Sequence, residues 1–521
     1  MQRVNPKNNT GETARHGGTR VLTSRLVAGV AIPALLVAAS ASVTSASAQT
    51  AIDVAPHHVI PAGPAHRSPV RVSTRRETHP PRAPESSQGQ VTNANATAPN
   101  AGVFPFIPPY FTKLPGAGVS VDTKGVGYAT DDKDLQFRIG GRYQEDFSAA
   151  KTSPRIGSSA TTPLVGADGI DSRRAFFEAY LTLKNGISVA FQYDFANATQ
   201  PIQDGVVSYH APNSNVIYTI GNFKEPFSLN QLISDNNTLF TERSLMDGFA
   251  PARDFGGAIA TYGDKWTATG GIYAGNANNT LTDNGFAGTA RVTYAPILEK
   301  TQLLHFGVAG SYRSLDASGT TGALSSRPED FLERALVTTG ALNRADAIER
   351  INGEALYQFA NLRLQGEYTY VNVTSTNGLG DRSFQGGYVE GGWVINGAGR
   401  PYRVAAPYGS EMAVLQGVQV EDPQRVSNGG IGVWEFGARY SAIDLNNNRN
   451  NALALNRVRG GSEQDATVGL NWYPDRNIRM MADYVHGWIS PASSITEVLL
   501  PGQARREVQS DAFVGRMQVY W

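Results

Sequence analysis

The chain has no cysteine in its 521 residues. That excludes disulfide staples, thiolate metal sites and cysteine nucleophiles. It also has no surplus of either charge, with 45 Lys and Arg against 45 Asp and Glu. No basic footprint for nucleic acid stands out, so no nucleic-acid partner is expected. Histidine is scarce, and His16, His57, His58, His66 and His79 all precede the patterned part of the chain. His210, His305 and His486 sit in no nucleophile or metal motif, and no pair has ligand spacing. No catalytic residue, metal site or cofactor is expected, and the chain does not read as an enzyme. A spanning helix is missing as well. The apolar run Leu26 to Ala39 is too short to cross a membrane and contains Pro33. Mean hydropathy is negative, which argues against a bundle of membrane helices. A β-barrel stays open, because its strands hide alternate polar residues inside.

What is abundant points the same way. There are 55 Gly, 21 Tyr and 21 Phe, which suits strands, turns and aromatic girdles. At the start, Arg20 and Arg25 precede the apolar run, and Ala46-Ser47-Ala48 offers a small-residue cleavage site. A signal peptide with an extended leading region is expected over 1–48, with the mature chain beginning near Gln49. Residues 49–130 read as a flexible segment rich in Pro, Ala and Asn. Within it, Phe104 to Phe111 is apolar enough to dock on or inside a barrel.

From Leu135 the period becomes two. Leu135, Phe137, Ile139 and Tyr143 share one face; Gln136, Arg138, Arg142 and Gln144 share the other. Apolar-out and polar-in alternation over about ten residues is the unit of a membrane-spanning strand. The pattern recurs about sixteen times between 135 and 521 (an even number that can close antiparallel). The fold class expected over 131–521 is therefore all-β: a transmembrane antiparallel barrel. Short turns and long loops should alternate along it. Lys184-Asn185-Gly186, Pro212-Asn213-Ser214, Gly263-Asp264, Ala360-Asn361 and Pro474-Asp475-Arg476 fall at short positions. The stretch 396–431 also falls at a short position and is long, so it is either an inner loop or an unrecognised hairpin. The chain ends in alternation up to Trp521, the kind of final strand read by the outer-membrane barrel assembly machinery.

Four stretches carry a resemblance. They are Gly221-Asn222-Phe223-Lys224-Glu225-Pro226-Phe227-Ser228-Leu229; Thr241-Glu242-Arg243-Ser244 with Phe249 to Gly256; Trp434 to Ser441 with Ile443 to Asn446; and Gly469 to Pro474 with Ile478 to His486. With these the chain resembles the phosphate-selective porin O and P family of Gram-negative outer membranes. The resemblance implies a sixteen-stranded homotrimeric barrel in the outer membrane, among lipid and lipopolysaccharide. It implies passive diffusion of small anions such as phosphate, polyphosphate or chloride. It also implies that the loop after the fifth strand folds inward as a constriction. The 224–255 stretch falls there, interleaving charges with Phe223, Phe227, Phe240 and Phe249.

Guanidinium groups stay charged and present planar donors to oxyanions, so rings of arginine can select anions. Alternation predicts lumen-facing Arg138, Arg142, Arg174, Arg291, Arg313, Arg363, Arg439, Arg479 and Arg516, with acids Glu178, Asp194, Glu367, Glu435 and Asp483 among them. Lys224, Arg243 and Arg253 lie on or beside the constriction loop. If they do not face the pore, they are partners of Glu225, Glu242 and Asp254. In Arg173-Arg174 parity allows one inward side chain, Arg174, and leaves Arg173 near the outer rim. The central loop stretch Ser234 to Thr238 departs from phosphate-specific relatives: it lacks a basic residue and carries Asp235. A general, weakly selective porin and a non-transporting structural or adhesin barrel are the alternatives.

Overall fold

Alternation becomes a closed wall. The computed structural model describes residues 118–521, apart from 123–124, 154–156, 160–161, 164–167, 280–284, 316–319, 322, 377, 407–410, 452 and 495–506. The expected signal peptide and the Phe104 to Phe111 piece lie outside the described residues. The wall strands are β1 (Leu135–Ser153), β2 (Gly169–Leu183), β3 (Ile187–Asp194), β4 (Ile202–His210), β5 (Val216–Lys224), β6 (Arg253–Tyr262), β7 (Trp266–Tyr273) and β8 (Ala287–Leu298). They continue as β9 (Gln302–Ser314), β10 (Ala345–Phe359), β11 (Leu362–Ser375), β12 (Arg382–Val394), β13 (Val433–Asn447), β14 (Val458–Asp475), β15 (Ile478–Ser490) and β16 (Val508–Tyr520). Successive strands pair antiparallel, and β16 returns to β1 from Gln509–Ser153 to Tyr520–Arg142.

The two faces of each strand behave differently. Ile139 is 36% exposed and Val468 44%, whereas Arg138 is 1% and Arg439 4% exposed. The first pair belongs to the outer face and the second to the lumen side, as alternation predicts. Five of the six tryptophans (266, 393, 434, 472 and 521) flank one end of the wall, where the short turns lie. Trp434 and Trp472 stack there with centroids 5.6 Å apart. Amphipathic rings gather where apolar wall meets water, so this end marks an interface.

The closing seam depends on backbone. Gly141 and Trp521 exchange both N–H···O bonds, at 2.9 Å each. A Cβ at Gly141 would lie 2.5 Å from the Phe176 carbonyl and 2.8 Å from the Trp521 ring, so the indole crosses at a residue without a side chain. Below the seam, a hairpin of Gly118–Asp122 and Gly125–Ala129 continues the sheet by pairing with β1 from Val126–Ile139 to Ala129–Gln136. Composition had put 118–129 in the flexible segment; its own alternation, Val126 and Tyr128 outward, is too short to register beside the proline-rich stretch. Deleting Trp521, or replacing it with Asp, is expected to lower the yield of folded, heat-resistant barrel on unboiled gels. Normal yield of both variants would count against the seam.

The connection between β12 and β13 is a loop, not a pair of wall strands. It carries a two-residue hairpin, Tyr402–Arg403 with Val414–Leu415, and two short 3₁₀ turns. It leaves the short-turn end and enters the lumen. There Val414 and Leu415 pack with Leu229, Leu232 and Ile233 of the loop after β5, while Met412 packs with Ile217 and Ala260 of the wall.

Candidate functional site

The site is the lumen where loops from both ends meet. The strand that leads into the loop, β5, turns at Gly221, whose φ of +137° and close approach to the Gly205 carbonyl admit only glycine without strain. The loop then forms a single helical turn, Leu229–Leu232, capped by the Ser228 hydroxyl, which accepts from Gln231 N–H at 3.3 Å. The first N–H groups of a helix lack partners in the helix itself. Here the wall supplies them. Leu229 N–H donates to Glu354 and to Glu367, both at 3.0 Å, and Asn230 N–H donates to Glu367 at 2.6 Å. Sequence patterning found no regular structure in this loop because a one-turn helix has no period to detect.

Apolar contacts seat the rest. Leu245, Met246 and Phe249 join one cluster with Leu336, Val337 and Leu342 of the loop after β9, and with wall residues Val371, Phe384 and Ile443. Leu239 and Phe240 occupy a dent in the wall made by Gly437 and Gly469, which face each other across β13 and β14. A Cβ at Gly437 would lie 2.8 Å from the Leu239 side chain, and one at Gly469 would lie 3.1 Å from the Phe240 ring. Phe223, Phe227, Phe240 and Phe249 are all buried, so the interleaved aromatics are docked.

The basic side chains hold this loop. Arg142 lies 3.2 Å from Asp235 and 3.1 Å from Glu178; Arg174 lies 2.7 Å from Asp235. Lys224 donates to the Gln231 carbonyl at 2.8 Å. Arg243 donates to the carbonyls of Asn230 and Ile233 at 2.9 and 2.8 Å. Arg479 donates to Thr238 O at 2.6 Å and to Asn236 O at 3.2 Å. Arg439 pairs with Glu329 of the loop after β9, lies 3.6 Å from Glu390, and has its guanidinium 4.4 Å from the Phe240 ring centre. Arg291 pairs with Glu354 at 2.5 Å, Arg313 with Glu225 at 2.8 Å and with Asp254, and Arg363 with Glu435 at 3.4 Å. Arg138 is buried on the lumen side of β1.

Three expectations change. Arg253 pairs with Asp204 at 2.7 Å, not with an acid of its own loop. Glu225 and Asp254 belong to Arg313, and Glu242 to Arg173 and Arg516, at 2.9 and 3.0 Å. Arg173 is therefore not at the outer rim. The β1–β2 register shifts between Gln144 and Asp146, and this bulge defeats the strict parity of β2 there, so Arg173 and Arg174 both reach lumen acids. Arg400 was missed, because the loop after β12 has no strand parity to reveal it. It grips Glu435 with two bonds of 2.8 and 2.6 Å and donates to the Asn237 carbonyl. His305 adds a second link between wall and inner loop: its ring nitrogens lie 2.7 Å from Tyr402 and 3.0 Å from Glu354.

Electrostatics follow this packing. Burial pushes the Asp235 carboxyl up, but Arg142 and Arg174, with Arg243 and Lys224 behind them, outweigh it and hold it well below the usual carboxylate range. Burial likewise opposes the charge on Glu242, and Arg173 above all overcomes it. A cavity of about 300 Å³ opens beside these pairs, lined among others by Arg173, Arg243, Ser244, Asp247 and Phe331.

A closed sixteen-stranded wall, apolar outside and charged inside, with loops narrowing its lumen, defines an outer-membrane channel protein. The chain belongs to the phosphate-selective porin O and P family, which matches residues 137–521. It is 26% identical to Porin O of Pseudomonas aeruginosa over 436 residues, spanning 77% of this chain and 93% of that one. It is 24% identical to an uncharacterised protein of Caulobacter vibrioides over 328 residues, 61% of this chain and 62% of that one. Among solved structures it is similar to the outer membrane channel DcaP of Acinetobacter baumannii (TM-score 0.44, 10% identity, 76% of this chain and 99% of that one). It is also similar to OmpT of Vibrio cholerae (TM-score 0.43, 10% identity, 74% and 98%).

Proposed function

We propose that this porin is an anion-preferring, water-filled channel for passive diffusion of phosphate, polyphosphate, chloride or other small anions, and that it has no enzymatic activity. The observation that carries this reading is the convergence of Arg142, Arg174, Lys224 and Arg243 on one short stretch of the constriction loop, 230–235. Such a field attracts anions of any kind. The protein is exported by its N-terminal signal peptide, assembled through the strand ending in Trp521, and works as a homotrimer. One observation favours a general, weakly selective porin as the second reading. Most of the lumen arginines already have carboxylate or carbonyl partners, which cancels part of their field at a distance.

Reversal potentials of the purified protein in planar bilayers, across a potassium chloride gradient, separate the two. An anion-preferring value supports the first reading; a value near zero supports the second. The triple variant Lys224→Gln, Arg243→Gln, Arg253→Gln should lower anion preference. Each single change should act modestly, since unit charges about 4 Å apart interact by about 4 kcal/mol at an effective dielectric near 20, and the effect falls with distance. An unaltered reversal potential in the triple variant would leave these three as holders of the loop.

A further inference from the structure

The cations near the constriction do converge, and what they converge on belongs to the chain. Asp235 stands in a tight turn closed by Asn237 N–H donating to the Ser234 carbonyl at 2.7 Å. The turn aims its carboxylate at β1 and β2. One oxygen lies 3.2 Å from Arg142 Nη1 and the other 2.7 Å from Arg174 Nε. Two guanidiniums on two oxygens of one planar anion is the arrangement that recognises free oxyanions. Both arginines are set by the wall independently of Asp235. The Arg142 guanidinium lies 3.8 Å from the centre of the Phe176 ring and also meets Glu178, while Arg174 Nη1 donates to Gln144 at 2.8 Å. Gln144 in turn accepts no movement freely, since its amide donates to Gln518 at 2.9 Å.

We propose that Asp235 is a tethered anion: its carboxylate fills an oxyanion site formed by Arg142 and Arg174, and a free phosphate must displace it to bind there. The proposal rests on the reading of the lumen as an anion path. A tethered competitor is present at high effective concentration, so it weakens any diffusible ligand for the same donors. The consequence is a site that attracts anions, holds them briefly and lets them leave, as conduction through a narrow pore requires. Removing the carboxylate takes an acid away from two buried guanidiniums while Glu178 stays against Arg142, and Lys224 and Arg243 are bonded to the same loop nearby.

The test is chloride conductance in planar bilayers while inorganic phosphate is titrated in. Asp235→Asn keeps the size of the side chain and removes its charge. Half-block by phosphate should shift at least about tenfold lower than in the native protein, the value of one charge-assisted hydrogen bond. Asp235→Glu should stay close to native, and adding Arg174→Gln to Asp235→Asn should cancel the gain. Unchanged or weaker block in Asp235→Asn would overturn the proposal. A second readout needs no current and tolerates a destabilised variant. Phosphate should raise the unfolding temperature of Asp235→Asn in detergent and leave that of the native protein nearly unmoved, because a ligand that binds only the folded state stabilises it. Equal response of the two proteins would also overturn it. Cation preference of the native protein, by contrast, would sink the channel reading while leaving the binding comparison standing.

Discussion

Val468→Arg should remove most of the folded protein from the outer membrane, and Ile139→Arg should do so to a smaller extent. Both residues stand on the outer face, 44% and 36% exposed. An arginine facing lipid costs about 2–4 kcal/mol at the midplane of the bilayer and about 0–1 kcal/mol near its edges. Val468 lies near the middle of β14, ten residues past its first residue, whereas Ile139 lies four residues past the first residue of β1, at the short-turn end. The midplane cost corresponds to a drop of at least about tenfold in the ratio of folded to unfolded barrel, and its effect is read as loss of the heat-resistant band in membrane fractions. Arg138→Ala, one residue from Ile139 on the buried face, should reduce the band less than Val468→Arg. Equal tolerance of Val468→Arg and Arg138→Ala would reverse the facing of the wall.

Arg400→Ala should both destabilise the protein and widen its pore. Arg400 is the bolt between three parts. It holds Glu435 of β13 by two bonds, donates to the Asn237 carbonyl in the constriction loop, and its N–H donates to Gln358 of β10 at 3.1 Å. Without it, buried Glu435 keeps Arg363 at 3.4 Å and the Tyr473 hydroxyl at 2.9 Å. Breaking a buried pair by removing one partner costs about 3–5 kcal/mol, most of it from the charge left behind. The expected result is a lower unfolding temperature in detergent, with larger and noisier single-channel currents as the inner loop leaves the lumen. Arg400→Gln combined with Glu435→Gln should recover part of the unfolding temperature, because it removes both charges of the pair and leaves Arg363 with Glu390 at 3.9 Å. Failure of the double variant to recover would place the effect in lost packing.

These predictions draw on features of unequal visibility in the sequence. The wall was legible because a strand repeats its instruction every two residues: Glu435, Arg439 and Ser441 against Phe436, Ala438 and Tyr440 need no tertiary knowledge to be sorted. Sixteen such repeats make an error in one of them harmless. The seating of the constriction loop was not legible. A loop has no period, so nothing local told that the Leu229 and Asn230 amides would meet Glu354 and Glu367 more than a hundred residues away. The same holds for Asp235, which read as a missing basic residue and is a partner of two arginines. Arg173 misled for a different reason, since one bulge is enough to overturn parity beyond it. A long connection at a position reserved for short ones was a usable signal at 396–431. It left a loop on the short-turn side and an unrecognised hairpin both open, and told nothing of where the stretch goes or what it touches.

The facing glycines Gly437 and Gly469 bear on two properties of the channel that are usually changed together. Leu239 and Phe240 sit as deep as they do because the wall is thinner by two side chains at that level. Bore is therefore written in the wall as missing volume, while charge is written elsewhere, on Arg142, Arg174 and their partners. A methyl group added at Gly437 would push Leu239 toward the axis without moving a formal charge. Size exclusion can thus drift by a single-atom step at Gly437 while ion preference drifts by substitutions on the loop that rests against it; at Gly469 the two stay linked, because a Cβ there would lie 2.2 Å from an Asp483 carboxylate oxygen.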